Sequence, residues 1–309
     1  MACPLRDARL RIWHLNLPLL AGLLLALTLA APHQAAAAEA RLLSIGGAVT
    51  ETVFALDGEA ALIGTDLTSL YPERATKLPK VGYLRMLGAE GVISLNPDLV
   101  LASADAGPPA AMQQIAAAGV RIVSLPEAHG EAAALERVRL VGAALGRESA
   151  AARLVAALRH DVDQVRADLA KASDHPRVLF LLSVGRGAPM AAGSETAAEA
   201  MIILAGGVNA VSGFRGYRPL SPEAAILAAP DVIVTTRETL REIGGAAAMA
   251  SLPGLGQTPA AERGRIVGFD ALYLLGFGPR LAHALHDLAS ALHPAAALRP
   301  LPPREWAAP

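Results

Sequence analysis

The chain has 309 residues, 53% hydrophobic and 4% aromatic, and 27 Lys and Arg against 28 Asp and Glu give a net charge of −1. That composition excludes a disordered or fibrous chain, and the length suits one or two globular domains with a large core. The charge balance lacks the basic surplus that nucleic acid demands, and a single cysteine, Cys3, excludes any disulfide within the chain.

Arg6, Arg9 and Arg11 precede an uncharged, leucine-rich run from Leu15 to Ala31, and "APHQAAAAEA" then supplies small residues for a cleavage site near Ala38. Residues 1–38 are therefore expected to be a secretory signal peptide. The apolar run is shorter than the roughly 20 residues of a spanning helix and contains Pro18. Cys3 lies before the run, so it is not the lipid-bearing cysteine of a lipoprotein signal. Cleavage takes three arginines and one aspartate, leaving 24 basic and 27 acidic residues, a net charge of −3. The mature chain is expected to be soluble, thiol-free and stabilised by packing alone.

An N-terminal lobe is predicted over 39–146. "RLLSIGG" (41–47) reads as a strand entering a glycine turn, and "TETVFALDG" (50–58) as a helix capped by Thr50 and stopped at Asp57 and Gly58. Strands follow at 61–66, 97–103 and 120–126, with helices at 88–95 and 107–118, an alternation that makes a parallel sheet. Residues 147–172 contain no Gly or Pro, and Leu154, Leu158, Val162, Val165 and Leu169 recur at helical spacing. They predict a linking helix roughly 35 to 40 Å long.

A C-terminal lobe is predicted over 173–293, with strands at 177–183, 230–236 and 264–270 and a helix at 196–205 ended by Gly206 and Gly207. The strands lack polar alternation, as strands buried on both faces do. The Pro-rich segment 294–309 is expected to be a flexible tail. The fold class is α/β: two Rossmann-like lobes with parallel sheets, joined by one long backbone helix.

An internal repeat supports two lobes. "AEGVISLNPDLVLAS" (89–103) aligns with "PEAAILAAPDVIVTT" (222–236) at a constant offset of 133, matching Glu90 with Glu223, Pro97 with Pro230 and Asp98 with Asp231. The proline stops a helix and starts a strand, so the Pro-Asp pair needs no chemistry. Upstream, "GYLRMLGAE" and "GYRPLSPE" both lead with Gly-Tyr, which places Tyr83 and Tyr217 on opposite walls of a cleft.

Enzymatic signatures are missing: there is no Walker loop, no G-x-S-x-G, and "GFGPRL" (276–281) matches only part of a dinucleotide fingerprint. Of the mature histidines, 160, 175, 283, 286 and 293 read as solvated, and His129 in "LPEAHG" is the one placed to approach the cleft. On the residues alone Tyr83 reads as a half-buried packing tyrosine. Arg85 opens an alternative, because in an extended segment residues two apart point the same way and a guanidinium beside the phenol favours phenolate, a hard ligand for ferric iron.

The ordered segments "SIGGAVTETVFALDG", "VGYLRMLGAEGVISLNPDLVLAS", "AAGSETAAEAMIILAGGVNAV", "GYRPLSPEA" and "LYLLGFGPR" resemble the periplasmic haem-binding proteins of bacterial haem ABC importers. These lie within the cobalamin and siderophore group of class III periplasmic binding proteins, and the resemblance runs through about residues 41–293. It implies a periplasmic, monomeric substrate-binding protein and no enzyme. Haem would be the transported ligand, and an inner-membrane ABC permease dimer with its ATPase the partner.

Residue by residue, the resemblance implies Tyr83 as axial ligand of the haem iron and Arg85 beside it. Arg186, Tyr217 and Tyr273 are expected near the haem, and Arg215, Arg218 and Arg237 are further candidates for its propionates. Some members add a histidine from the second lobe; the corresponding loop here, "SVGRGAPMAAG", offers Arg186 instead. Glu90 and Glu223 are expected to dock on the permease, with Glu51 and Glu195 as weaker candidates. A cobalamin or ferric-siderophore binder is the alternative within the fold, and a metallochelatase the enzymatic one.

Overall fold

The computed structural model describes residues 40–126, 129–184 and 188–307. The expected signal peptide and Arg186 lie outside these residues, and among the described residues no helix is long and apolar enough to cross a membrane.

The first lobe runs β1 (Leu42–Ile45), α1 (Gly47–Ala55), β2 (Leu62–Thr65), α2 (Glu73–Thr76), α3 (Ala89–Ile93), β3 (Leu99–Ser103), α4 (Pro109–Ala117), β4 (Arg121–Leu125) and α5 (Glu131–Ala144). Its strands are parallel in the order β2-β1-β3-β4. Successive strand residues serve opposite faces. Leu42, Leu99 and Leu101 pack towards α1 and α5, while Leu43, Ile45 and Val100 pack with Val92 and Ile115 of α3 and α4. This double burial is why the strands read as unbroken apolar runs.

Helix α6 (Glu148–Leu169) has 22 residues, about 33 Å of length at the standard rise. Leu154 and Leu158 enter the first-lobe core, and Val162 and Val165 the core of the second. One helix thus contributes to both cores, and the lobes cannot separate without disturbing it.

The second lobe contains β5 (Arg177–Ser183), β6 (Met190–Ala192), α7 (Ala197–Leu204), β7 (Val208–Asn209), β8 (Tyr217–Pro219), α8 (Pro222–Ala228), β9 (Val232–Thr236), α9 (Arg237–Ile243), α10 (Ala246–Ala250), α11 (Pro259–Glu262), β10 (Ile266–Phe269), α12 (Ala271–Leu275) and α13 (Leu281–Leu292). Its sheet runs β10-β9-β5-β6-β8, with β7 beside β5. β6 is antiparallel to both β5 and β8, so this sheet is mixed rather than all parallel.

Three local expectations are corrected. Helix α1 begins at Gly47, three residues before Thr50; Gly46, at φ 111°, occupies the cap position. The Thr50 hydroxyl is instead buried in hydrogen bonds 2.7 Å from Ser44 Oγ and 2.6 Å from Ser69 Oγ. The Pro-rich segment is no free tail: Arg304 donates to Asp161 on α6 at 2.9 and 2.7 Å, Arg299 Nε donates to Asp168 at 2.9 Å, and Tyr71 donates to the Trp306 carbonyl at 3.2 Å. His293 is not solvated but 3% exposed, 2.9 Å from the Ala205 carbonyl and 3.0 Å from Asp174.

Candidate functional site

The segment from Val81 to Leu87 lies at the carboxyl edge of the first sheet, where parallel α/β sheets expose side chains to ligands. The Val81 amide donates to the Thr65 carbonyl at 3.0 Å and the Leu67 amide to that of Gly82 at 2.9 Å. Gly82, at φ 110°, turns the chain out of that pairing, a conformation that L side chains rarely adopt. On the other side the Gly107 amide donates to Leu84 O and Leu87 N to Gly107 O, both at 2.8 Å. Val81, Leu84 and Leu87 are buried anchors, and Tyr83, Arg85 and Met86 are what they present.

Tyr83 is 39% exposed, and Arg85 Nη1 donates to its phenol oxygen at 2.9 Å. Arg85 Nη2 also pairs with the Asp105 carboxylate, from the loop after β3. Asp105 is a member of this group that the sequence reading did not single out. It lies twenty residues from Arg85 in the chain and meets it only because the β3 loop and the Tyr83 segment share a sheet edge. Exposed Leu67 and Met86 give the same edge an apolar character.

Tyr217 opens β8 and is half-buried against the second-lobe core. Burial pushes its phenol up, opposed by hydrogen bonding from the Ala198 backbone and by the Arg85 charge.

The remaining arginines of the second lobe are less available. Arg215 pairs with Glu195, and the Arg218 guanidinium stands 5.8 Å over the Phe214 ring. Arg237 starts α9 and its charge acts on Tyr273. His129 is exposed beside residues that are not described.

Glu51 and Tyr273 belong to a different assembly, where the lobes touch. Arg280 Nε donates to Glu51 Oε2 at 3.1 Å, Nη2 pairs with Oε1, and both residues are buried. The guanidinium lies 3.6 Å from the Tyr71 ring centre and 5.1 Å from that of Tyr273, contacts that favour a cation. Arg137 Nη1 donates to the Gly276 carbonyl at 3.1 Å, a second crossing between lobes. Burial pushes the Glu51 carboxyl up to about 7, against the pull of Arg280.

Gly278 is required there, because a Cβ would lie 2.9 Å from Glu51 Oε2. Tyr273 donates to Asp287 at 2.9 Å, and burial pushes its phenol up. Glu51 is therefore corrected from a surface docking candidate to a buried partner of Arg280, and Glu195 is occupied by Arg215.

Glu90 and Glu223 are exposed in the first turns of α3 and α8. The Glu223 carboxyl is held below its usual range by its own backbone N–H and by Ser221. Among the described residues no group of three or more His, Cys, Asp or Glu side chains could hold a metal ion. One phenol beside a guanidinium suits iron that arrives already ligated on its other positions.

The family model described as periplasmic binding protein matches residues 42–273. The ABC transporter substrate-binding lipoprotein YvrC of Bacillus subtilis (strain 168) is 26% identical over 257 residues, 82% of this chain and 80% of that protein. The vitamin B12-binding protein of Yersinia pestis (strain Pestoides F) is 28% identical over 221 residues, 71% of this chain and 76% of its own. Among solved structures, the periplasmic heme-binding protein BhuT in complex with two hemes is 45% identical at a TM-score of 0.80, covering 84% of this chain and 99% of that one. The periplasmic heme-binding protein RhuT from Roseiflexus sp. RS-1, in apo form, is 40% identical with the same score and coverage. These relatives are substrate-binding proteins rather than enzymes, and by the extent of the family match this chain belongs to the periplasmic binding protein family, with the fold of its class III members.

Proposed function

We propose that this chain captures haem in the cleft between its lobes, with the Tyr83 phenolate as axial ligand of ferric iron, and delivers it to an inner-membrane ABC importer after export and cleavage near Ala38. The observation that carries this is the presented Tyr83 phenol with Arg85 donating to it at 2.9 Å. Arg85 offers that oxygen a charge-assisted hydrogen bond, which supports the phenolate once the oxygen binds ferric iron. The names of BhuT and RhuT support haem as the cargo, and that of YvrC supports an ABC transporter as partner.

Tyr217 walls the opposite side, and Leu67 and Met86 offer apolar contact to a porphyrin. Arg186 is the candidate for a propionate from the loop outside the described residues. Tyr273, whose hydroxyl donates to Asp287, is a further candidate to line the pocket beside the haem. Glu90 and Glu223, one on each lobe, steer and orient docking on the two permease subunits.

Titration of the mature protein with hemin tests this. The expected result is a saturable ferric spectrum with a phenolate charge-transfer band that Tyr83→Ala abolishes. The similarity to vitamin B12-binding proteins favours cobalamin as second reading. Saturable cobalamin binding with none for hemin would replace haem by it.

A further inference from the structure

The two lobes present the same short surface twice. The segments 89–95, "AEGVISL", which contains α3, and 222–228, "PEAAILA", which is α8, align at the offset of 133 and agree at two positions only: Glu90 with Glu223, and Ile93 with Ile226. All four side chains are exposed, the isoleucines by 36% and 39%. The one buried position between them differs, Val92 facing Ala225 in the alignment. Packing alone would produce the reverse, since a repeated core holds its buried residues and lets its surface vary. A single exposed isoleucine is ordinary. Two of them, at equivalent positions one turn after two equivalent glutamates, are a repeated surface.

The backbone beneath is matched as closely. Asp98 Oδ2 accepts from the Arg41 amide at 2.8 Å, and Asp231 Oδ2 from the Arg177 amide at 3.0 Å. Arg41 Nη2 donates to the Leu95 carbonyl at 2.8 Å, and Arg177 Nη2 to the equivalent Ala228 carbonyl at 2.9 Å. The aligned positions beyond the helices are both left-handed, Asn96 at φ 48° three residues after α3 and Ala229 at φ 40° directly after α8. Each helix is thus pinned to its sheet in the same orientation. Residues three apart on a helix share a face, so each isoleucine points the way its glutamate does.

We propose that Ile93 and Ile226 are a pair of apolar seats, each completing an acidic and apolar docking patch, by which the chain beds onto two equivalent subunits of its membrane partner. This rests on the reading above that the partner is an importer with paired permease subunits. Each subunit would offer a cation to the glutamate and an apolar hollow to the isoleucine. The glutamates govern approach through long-range attraction. The isoleucines exclude water from the ion pairs once docked and slow departure.

The test is binding of the hemin-loaded protein to the ABC importer of the same bacterium, reconstituted in nanodiscs. Ile93→Ala and Ile226→Ala are each expected to weaken binding about tenfold, mainly through faster dissociation, and the double variant about a hundredfold, since the seats are on separate lobes. Their salt dependence stays that of the wild type, whereas Glu90→Gln and Glu223→Gln flatten it. Ile203→Ala, an exposed isoleucine on α7 outside the repeat, keeps wild-type affinity. Hemin titration and thermal melting of each variant match the wild type.

Wild-type affinity in both seat variants, with the glutamate variants weakened, overturns the seats and leaves the partner standing. Loss in one seat alone overturns the two-fold arrangement. No binding of the wild-type protein to that importer, with hemin binding intact, removes the partner reading and the seats with it.

Discussion

The two Gly-Tyr segments start from the same two letters and end in opposite conditions. Gly82 and Gly216 both take positive φ, at 110° and 75°, and each turns a tyrosine out of the preceding chain. In the first lobe the next anchors, Leu84 and Leu87, are buried and Tyr83 is left outside, held by Arg85. In the second lobe the tyrosine begins β8, pairs as an edge strand with β6 and lays its ring on the core. One tyrosine is presented with a cation beside it and the other is made a wall.

That contrast predicts very different costs for the same substitution. Tyr83→Phe should abolish the charge-transfer band and weaken hemin at least a hundredfold, while Tyr217→Phe should keep the band and change affinity less than about threefold, both read by hemin titration. Equal losses in the two variants would show that both oxygens reach iron and would erase the asymmetry.

Next in size is the contact that holds the lobes in register. Arg280→Ala removes the partner of Glu51 and the guanidinium between two aromatic rings, and should cost about 3 kcal/mol in urea unfolding at pH 7.5. The Glu51 carboxyl is raised to about 7 in the fold from 4.5, so between those values the folded state binds more protons than the unfolded one. Its contribution to stability is therefore complete below pH 4.5 and is lost as pH rises through 7. Glu51→Gln cannot ionise, so its stability relative to the wild type should improve from pH 4.5 to 7.5, on the order of 1–3 kcal/mol. A relative stability that falls over this range would mean that pairing with Arg280 outweighs burial.

Much of this was legible before folding. The buried strands announce themselves as runs such as "RVLFLLS", observed as β5 with the same bounds, and α6 by its unbroken spacing of Leu and Val. Tyr83 and Arg85 were legible as neighbours because they lie two apart in the chain, although the extended segment expected there is a turn, closed by the Met86 amide on the Tyr83 carbonyl at 2.8 Å. What escaped depends on contacts distant in sequence. β6 and β8 are three residues each, one containing Pro219, and exist only by pairing with one another and with β5. The tail reads as disordered by its prolines, yet Arg299 and Arg304 meet aspartates of α6 more than 130 positions away. Glu51 reads as a weaker docking candidate until the second lobe's Arg280 is seen to pair with it.

Where the repeat is structural, equal substitutions should cost equal amounts. Arg41→Ala and Arg177→Ala each remove side-chain donors from aligned carbonyls, Leu95 just beyond α3 and Ala228 at the end of α8, and each should destabilise by about 1 kcal/mol, read by urea unfolding. A large difference between them would show that the lobes contribute unequally to cooperative unfolding.

The smallest effect concerns Asp105, which has no match in the second lobe's Tyr217 segment. Its carboxylate neutralises part of the Arg85 charge that faces Tyr83. In Asp105→Asn that charge is less compensated, the phenolate oxygen is held more tightly by Arg85 and donates less to iron. The charge-transfer band should then move to higher energy, with hemin affinity changed by about twofold. An unmoved band would make Asp105 a surface partner of Arg85 only, and the difference between the two Gly-Tyr segments would reduce to exposure and Arg85 alone. A band moved to lower energy would mean that Asp105 chiefly positions Arg85, so that losing the carboxylate lets the guanidinium drift from the phenol, and the presented tyrosine would then depend on a three-residue chain reaching back to the loop after β3.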